Sequence, residues 1–476
     1  MNTPHQPPTS RRDLLKTAGT GFGYLALAGF CGTNPALAAD NTANPLAPKK
    51  PHFTPKAKRV IMLTMRGAPS HVDTLDYKPQ LSADDGKPGQ SRRGNAPLLG
   101  SPWRFNQHGK SGLYISELMP NIARLADDLC IINSMRTDLP NHPQAYLQLH
   151  TGSFQFVRPS FGAWTLYGLG TENENLPGFV TISPTAANGG AQNYGSSFLP
   201  ALYQGTPLGR EGIAQRFQRQ RGNQGAAAEA IANIANNSLS TRHQRMQLDF
   251  VNRMNQLKFR TAGPDSDEFE SVIQSFELAF RMQDEIPKVM DLNGESPATL
   301  ERYGVGQQPT DNFARQCLIA RRLAEAGVRF IEINAGNWDQ HRNLRTALAQ
   351  NCLQIDKPVA ALIGDLKQRR LLDDTLVIWG GEFGRTPHAQ NGDGRDHNHK
   401  GYSMFLAGGG TKGGINPGAT DEHGYEAVEN PMHVHDLHAT VLHLLGLDHE
   451  KLTFNYAGRD FRLTDVHGNV HHEIIT

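Results

Sequence analysis

The sequence predicts an α/β protein with a mainly parallel sheet and helices on both faces, and two observations carry that expectation. Short apolar, β-branched runs recur at 58–65, 129–132, 330–334, 375–379 and 402–407, the pattern of strands buried on both faces. Between and after them, 118–126, 312–326, 344–370 and 436–446 have helical spacing, which in alternation with strands implies crossover connections. At 476 residues the chain can bury a large core, read as one domain with insertions rather than three small ones. No internal repeat at solenoid periods is visible.

Taken in order, residues 1–38 read as a twin-arginine export signal: Ser10-Arg11-Arg12-Asp13-Leu14-Leu15-Lys16, an apolar Gly-rich stretch to Phe30, and Ala36-Leu37-Ala38 for cleavage. The apolar run is short of the roughly 20 residues a membrane span needs. The expected location is therefore periplasmic or secreted, with the twin-arginine translocase as export partner and no stable membrane span. Residues 39–57, rich in Asn, Ala, Pro and Lys, read as a flexible linker. The folded domain is expected over 58–476, with a surface excursion at 77–112 and a mainly helical insertion at 205–300. Arg210, Arg216, Arg219 and Arg221 in that insertion are expected on a solvated helix face.

A net charge of +1 supplies no field to steer nucleic acid, so that class of partner is excluded. Beyond the leader only Cys130, Cys317 and Cys352 remain. They form neither a disulfide framework nor a Cys-based zinc cluster and are expected to be buried apolar residues.

The chemistry concentrates at strand ends. Thr375 to Trp379 runs into Gly380-Gly381-Glu382-Phe383-Gly384-Arg385, an apolar strand delivering a carboxylate into a Gly-rich turn. Phe330 to Asn334 leads to Asn337-Trp338-Asp339-Gln340-His341, where a carboxylate and an imidazole two apart can share a cation while Trp338 shields them. Gly394-Arg395-Asp396-His397-Asn398-His399 repeats that logic in a Gly-bounded loop, and the first strand ends at Ser70-His71-Val72-Asp73. Thirteen of the twenty histidines lie from His341 onward. The expected ligands are Asp339, His341, Glu382, Asp396, His397 and His399, with His71 and Asp73 as further candidates. Such a set suits one or two divalent cations, zinc, manganese or iron rather than calcium alone. A cation there favours hydrolysis of a phosphate or sulfate ester.

Met65-Arg66-Gly67-Ala68-Pro69-Ser70-His71-Val72-Asp73, Asn337 to His341, Gly381-Glu382-Phe383-Gly384-Arg385-Thr386-Pro387 and Gly394 to His399, in this order after an export signal, resemble the family designated domain of unknown function 1501. That family is grouped with the alkaline phosphatase and sulfatase superfamily. The resemblance implies a sulfatase-like fold with one or two metal ions at the carboxyl edge of the sheet, and it puts Glu382 where a metal-binding Asp usually stands. Sulfatases carry their nucleophile some nine residues before a Thr-Gly pair; counting back from Thr151-Gly152 reaches His142. Three alternatives follow: metal-activated water attacks without a formylglycine, with His142 as ligand or base; Ser70 or Thr137 is the nucleophile; or the site binds without turnover. Arg66 and Arg385, each beside an expected ligand, are placed to grip an ester's oxygens, with structural salt bridges as the competing role. The implied substrate is a sulfate or phosphate ester, including sulfated polysaccharide. A non-catalytic exported metal- or glycan-binding protein that keeps the fold is the competing class, and a phosphomutase a third, disfavoured by export.

Overall fold

The computed structural model describes residues 44–90, 96–209, 239–262 and 266–476, and a compact unit runs from Pro45 to Thr476. Ten strands matter for the site: β1 (Arg59–Met65), β2 (Leu129–Arg136), β3 (Phe179–Ile182), β4 (Thr206–Leu208), β5 (Phe330–Ala335), β6 (Thr375–Gly380), β7 (Gly384–Gln390), β8 (Gly394–Asn398), β9 (Tyr402–Ala407) and β10 (Met432–His433). Eight of them form one sheet in the order β10-β2-β9-β6-β1-β5-β3-β4. Only β9 runs against its neighbours β2 and β6; the other pairings are parallel. The expected α/β class and mainly parallel sheet are therefore what the molecule has.

All seven residues of β1 are buried, because strands flank it on both sides and helices cover both faces. Ile61, Leu63 and Met65 point into one apolar cluster with Leu318, Leu348 and Leu362, from α5 (Asp311–Glu325) and α6 (Leu344–Gln368). Val60 and Met62 point into the other with Trp164 and Leu437, from α2 (Phe161–Leu169) and α7 (Val434–Leu444). This alternation is the two-residue period of a strand. Register then positions the chemistry: Thr64 stands opposite Asn334 on one side and Gly380 on the other, so the loops after β1, β5 and β6 leave the sheet at one level.

The linker assignment changes at its C-terminal end. Residues 45–57 pack on the domain, with Leu46 and Ala57 buried and main-chain hydrogen bonds from Lys49 to Leu169, His52 to Gly446 and Lys56 to Leu444 at 2.8–2.9 Å. Alternating Pro and Lys suggested a loose chain, but the backbone donors find fixed acceptors. The helical insertion likewise starts later than expected, since Thr206–Leu208 is the edge strand β4. Helices α3 (Thr241–Ala262) and α4 (Ser266–Met290) follow. The export signal, Arg210, Arg216, Arg219 and Arg221 lie outside the described residues. Among the described residues no helix is long and apolar enough to cross a membrane.

Candidate metal centre

Four side chains from three separate segments meet at the carboxyl edge. His142 opens α1 (His142–Thr151), Asp339 and His341 follow β5, and His397 sits in β8. One ligand atom from each lies within 4.8 Å of all the others. The Nε2 atoms of His341, His142 and His397 stand 2.9, 3.2 and 3.4 Å from a single oxygen, Asp339 Oδ1. Four ligands arranged tetrahedrally at ~2.0–2.1 Å from a zinc-like cation would stand roughly 3.3 Å apart, close to the three spacings from Asp339 Oδ1, while the remaining pairs lie within 4.8 Å.

Each ring is held from behind through Nδ1. His142 Nδ1 lies 2.6 Å from Glu382 Oε1, His397 Nδ1 lies 2.8 Å from the Pro140 carbonyl, and His341 Nδ1 meets Gln390 Oε1. A carboxylate or a carbonyl only accepts, so Nδ1 of His142 and of His397 carries the proton and the neutral ring turns a lone pair on Nε2 toward the centre. This backing is how ligating histidines are oriented in metalloproteins. His142 Nε2 is buried with no aligned hydrogen-bond partner, although Asp339 Oδ1 is near. An orphaned lone pair among two other imidazole nitrogens and a carboxylate oxygen fits a cation.

The electrostatics agree. Burial disfavours the charged form of Asp339, yet the three imidazoles gathered around it and the Arg385 charge hold its carboxyl far below the usual range. Burial pulls His142 down, but Asp339 and Glu382 outweigh it and raise its pKa. The hydrogen bond to Asp339 raises His341. The hollow thus concentrates negative potential, which favours positive charge. Phe383 packs its ring 4.7 Å from His142 and 4.8 Å from His397, an apolar wall against both imidazoles.

Local backbone makes the approach possible. Gly67 has φ +108°, and a Cβ there would lie 2.7 Å from the Asp339 amide nitrogen, so only glycine lets the loop after β1 touch the loop after β5. The Gly67 amide also donates to Glu382 Oε1 at 3.0 Å, fixing the carboxylate that backs His142.

Several expected site residues have other roles. Glu382 is fully buried and lies behind His142 rather than among the four converging atoms. Arg385, also fully buried, turns its guanidinium to Asp339 Oδ1 at 2.6 Å and to the carbonyls of Gly67 and Ala68; it fixes the Asp339 carboxylate from a position that solvent does not reach. Asp73 is the buried partner of Arg395, at 2.7 and 3.0 Å, which places it in a structural ion pair. Ser70 is buried and donates to Asp73 Oδ2 at 2.5 Å, so its hydroxyl does not face the site. Thr137 is buried as well, donating to Gln148 at 2.8 Å. His71 is buried with Nε2 2.9 Å from the Gly424 carbonyl, and its ring abuts Gly384 away from the four-residue set. Asp396 reaches His341 Nδ1 only at 4.0 Å, and His399 lies outside the set, its carbonyl accepting from the Thr137 amide. Arg66 is half-buried on the loop after β1. Trp338 is turned into the core rather than over the four-residue cluster: it is buried, edge-on to Trp379 at 6.2 Å.

Fold and site together define an α/β protein whose mainly parallel sheet carries a three-histidine, one-aspartate centre at its carboxyl edge. The chain belongs to the family described as protein of unknown function (DUF1501), whose model matches residues 57–475. No curated protein matches it. Among solved structures it is similar to the PsFucS1 sulfatase from Pseudoalteromonas sp., at 12% identity and a TM-score of 0.35 over 83% of this chain and 68% of that one. It is also similar to the lipoteichoic acid synthase LtaP from Listeria monocytogenes, at 10% identity and 0.35 over 88% and 78%. Alkaline phosphatase from the Antarctic bacterium TAB5 aligns at 12% identity and 0.31 over 75% and 92%.

Proposed function

We propose that this chain is an exported, metal-dependent hydrolase of sulfate or phosphate esters that works without a side-chain nucleophile. The observation that carries the reading is the convergence of three Nε2 atoms on Asp339 Oδ1, with each ring braced through Nδ1. A divalent cation held by His142, Asp339, His341 and His397 would polarise an ester oxygen and lower the pKa of water at neutral pH. Imidazole and carboxylate donors suit zinc, manganese or iron.

The chain's own residues support hydrolysis by water. Ser70 and Thr137 are buried and hydrogen-bonded elsewhere, and the position at which the sulfatase spacing expects a nucleophile is His142. Arg385 holds Asp339 in place, the first turn of α1 offers a positive dipole end to an anionic ester, and Arg66 is the cation proposed to grip ester oxygens. The Asp339 side chain is 44% exposed, so the centre has an open side through which substrate enters.

Purified protein should bind one cation per chain and turn over aryl sulfate or aryl phosphate, and His341→Ala should lose both. Elemental analysis with the two chromogenic esters is the test. A bound cation with no turnover of either ester or of sulfated glycan would make the chain a binding protein; no bound cation would end both readings.

A further inference from the structure

Joined to the candidate metal centre through the segment 138–142 is a cleft of about 210 Å³, bordered by Asp138, Gln148, Phe156, Arg158, Phe198 and Phe461 among others. It adjoins the centre through one short segment: Asp138 lines the cleft, the Pro140 carbonyl receives His397, and His142 faces Asp339. The charges on its walls are matched with one exception. Asp138 is engaged by His433 and Gln148, Asp465 by Arg459, and Arg462 by Glu450 at 3.3 Å. Arg158 makes no hydrogen bond or ion-pair contact among the described residues, feeling only the favourable charge of Asp465, which is itself paired with Arg459; its guanidinium lies over the rings of Phe461 at 4.2 Å and Phe156 at 5.3 Å. Stacking on rings fixes the plane of a guanidinium and leaves its in-plane donors free for a tetrahedral anion.

The surroundings suit a sugar. Phe198 stacks on Tyr456 at 5.1 Å and meets Phe461 at 5.0 Å, while Phe156 and Tyr456 are 59% and 51% exposed. Exposed aromatic faces beside polar groups offer apolar surface to a pyranose ring, and the carboxylate of Asp138 accepts from hydroxyls.

We propose that this cleft is a saccharide subsite in which Arg158 grips a sulfate or phosphate group one or more units away from the ester at the metal centre. The preferred substrate is then a multiply charged glycan, an assignment that rests on the hydrolase reading for its order along the chain but not for its binding.

Titration calorimetry with a sulfated galactan tetrasaccharide, its desulfated form and a phosphorylated form separates the possibilities. Wild-type protein should bind a charged form at least about tenfold more tightly than the uncharged one, and Arg158→Ala should lose that preference while keeping its bound cation and thermal midpoint. Whichever charged form binds better names the anion. Protein stripped of its cation should still bind the charged tetrasaccharide more tightly than the uncharged one, so a preference that persists without turnover upholds the subsite while removing the hydrolase. Equal affinity for charged and uncharged forms, equal affinity of wild type and Arg158→Ala, or no binding to wild type would overturn the subsite.

Discussion

At the scale of single residues, the site depends on what stands behind each histidine. Glu382 fixes the tautomer of His142 from a fully buried position. Glu382→Gln keeps the shape and an oxygen for the Gly67 amide but weakens the brace, and cation affinity should fall about 10–100-fold, read by competition with a chelating dye; unchanged affinity would show that His142 is not a ligand. Asp73 makes the opposite case. Its carboxylate is paired with Arg395 where both side chains are fully buried, so Asp73→Ala should cost about 3–5 kcal/mol in denaturant unfolding yet leave one cation per folded chain. Acid and imidazole spacing in the sequence singled out Asp339, His341 and His397, and counting back from Thr151-Gly152 reached His142; these are the four side chains that the fold brings together. The Pro140 carbonyl and Gln390 were not legible, because a backbone oxygen has no side-chain signature and an amide at position 390 reads as an ordinary strand residue. Glu382 and Asp73 stand outside the four converging side chains, one behind His142 and the other paired with Arg395; a carboxylate after a strand looks the same from sequence whether it faces a site or supports the structure around it.

At the scale of elements, the segment 394–399 read as a loop is half of the β7–β8 hairpin, and its register shifts between Arg395 and His397. Strict alternation would aim both side chains to one face; the irregularity sends Arg395 into the core toward Asp73 and His397 out toward Asp339. That shift depends on pairing between strands and leaves no mark in composition. Helix α1 carries a second feature that the sequence did not reveal. His150, near the other end of the same helix as His142, is buried with Nε2 2.7 Å from Glu332 Oε1 in the middle of β5, and Nδ1 meets the Tyr146 carbonyl at 2.7 Å. Burial pulls the His150 pKa down, but the Glu332 charge and hydrogen bond prevail and raise it above its ordinary value. A raised folded pKa means that the stabilisation is complete below the unfolded value, roughly 6.5, and is lost as pH climbs through the folded value. Urea midpoints measured with chelator present should therefore decline from mildly acid to alkaline pH. His150→Gln should flatten part of that decline; parallel curves for the two proteins would mean that the pair does not titrate with folding.

For the whole molecule, the centre ties together segments spread over more than half the chain: the start of α1 after β2, the loop after β5 and the β7–β8 hairpin. The parallel order of the sheet was readable because each central strand is a short, unbroken apolar run, whereas the edge strands β4 and β10, of three and two residues, are too brief to announce themselves. A cation that binds only the folded arrangement stabilises it by mass action, about 2.7 kcal/mol when free cation stands at a hundred times its dissociation constant. Unfolding entropy for a domain spanning Pro45–Thr476 is on the order of 0.9 kcal/mol per kelvin at the specific values typical of globular proteins, so this stabilisation corresponds to a rise of roughly 3 °C in thermal midpoint. Stripping the protein with chelator and restoring zinc or manganese should move the midpoint down and back by about that amount. His341→Ala should show no such response, because the remaining three donors no longer enclose the cation. A shift of the same size in the variant would locate the bound ion elsewhere, and no shift in the wild type would mean that the four side chains are held by one another and by Arg385 alone.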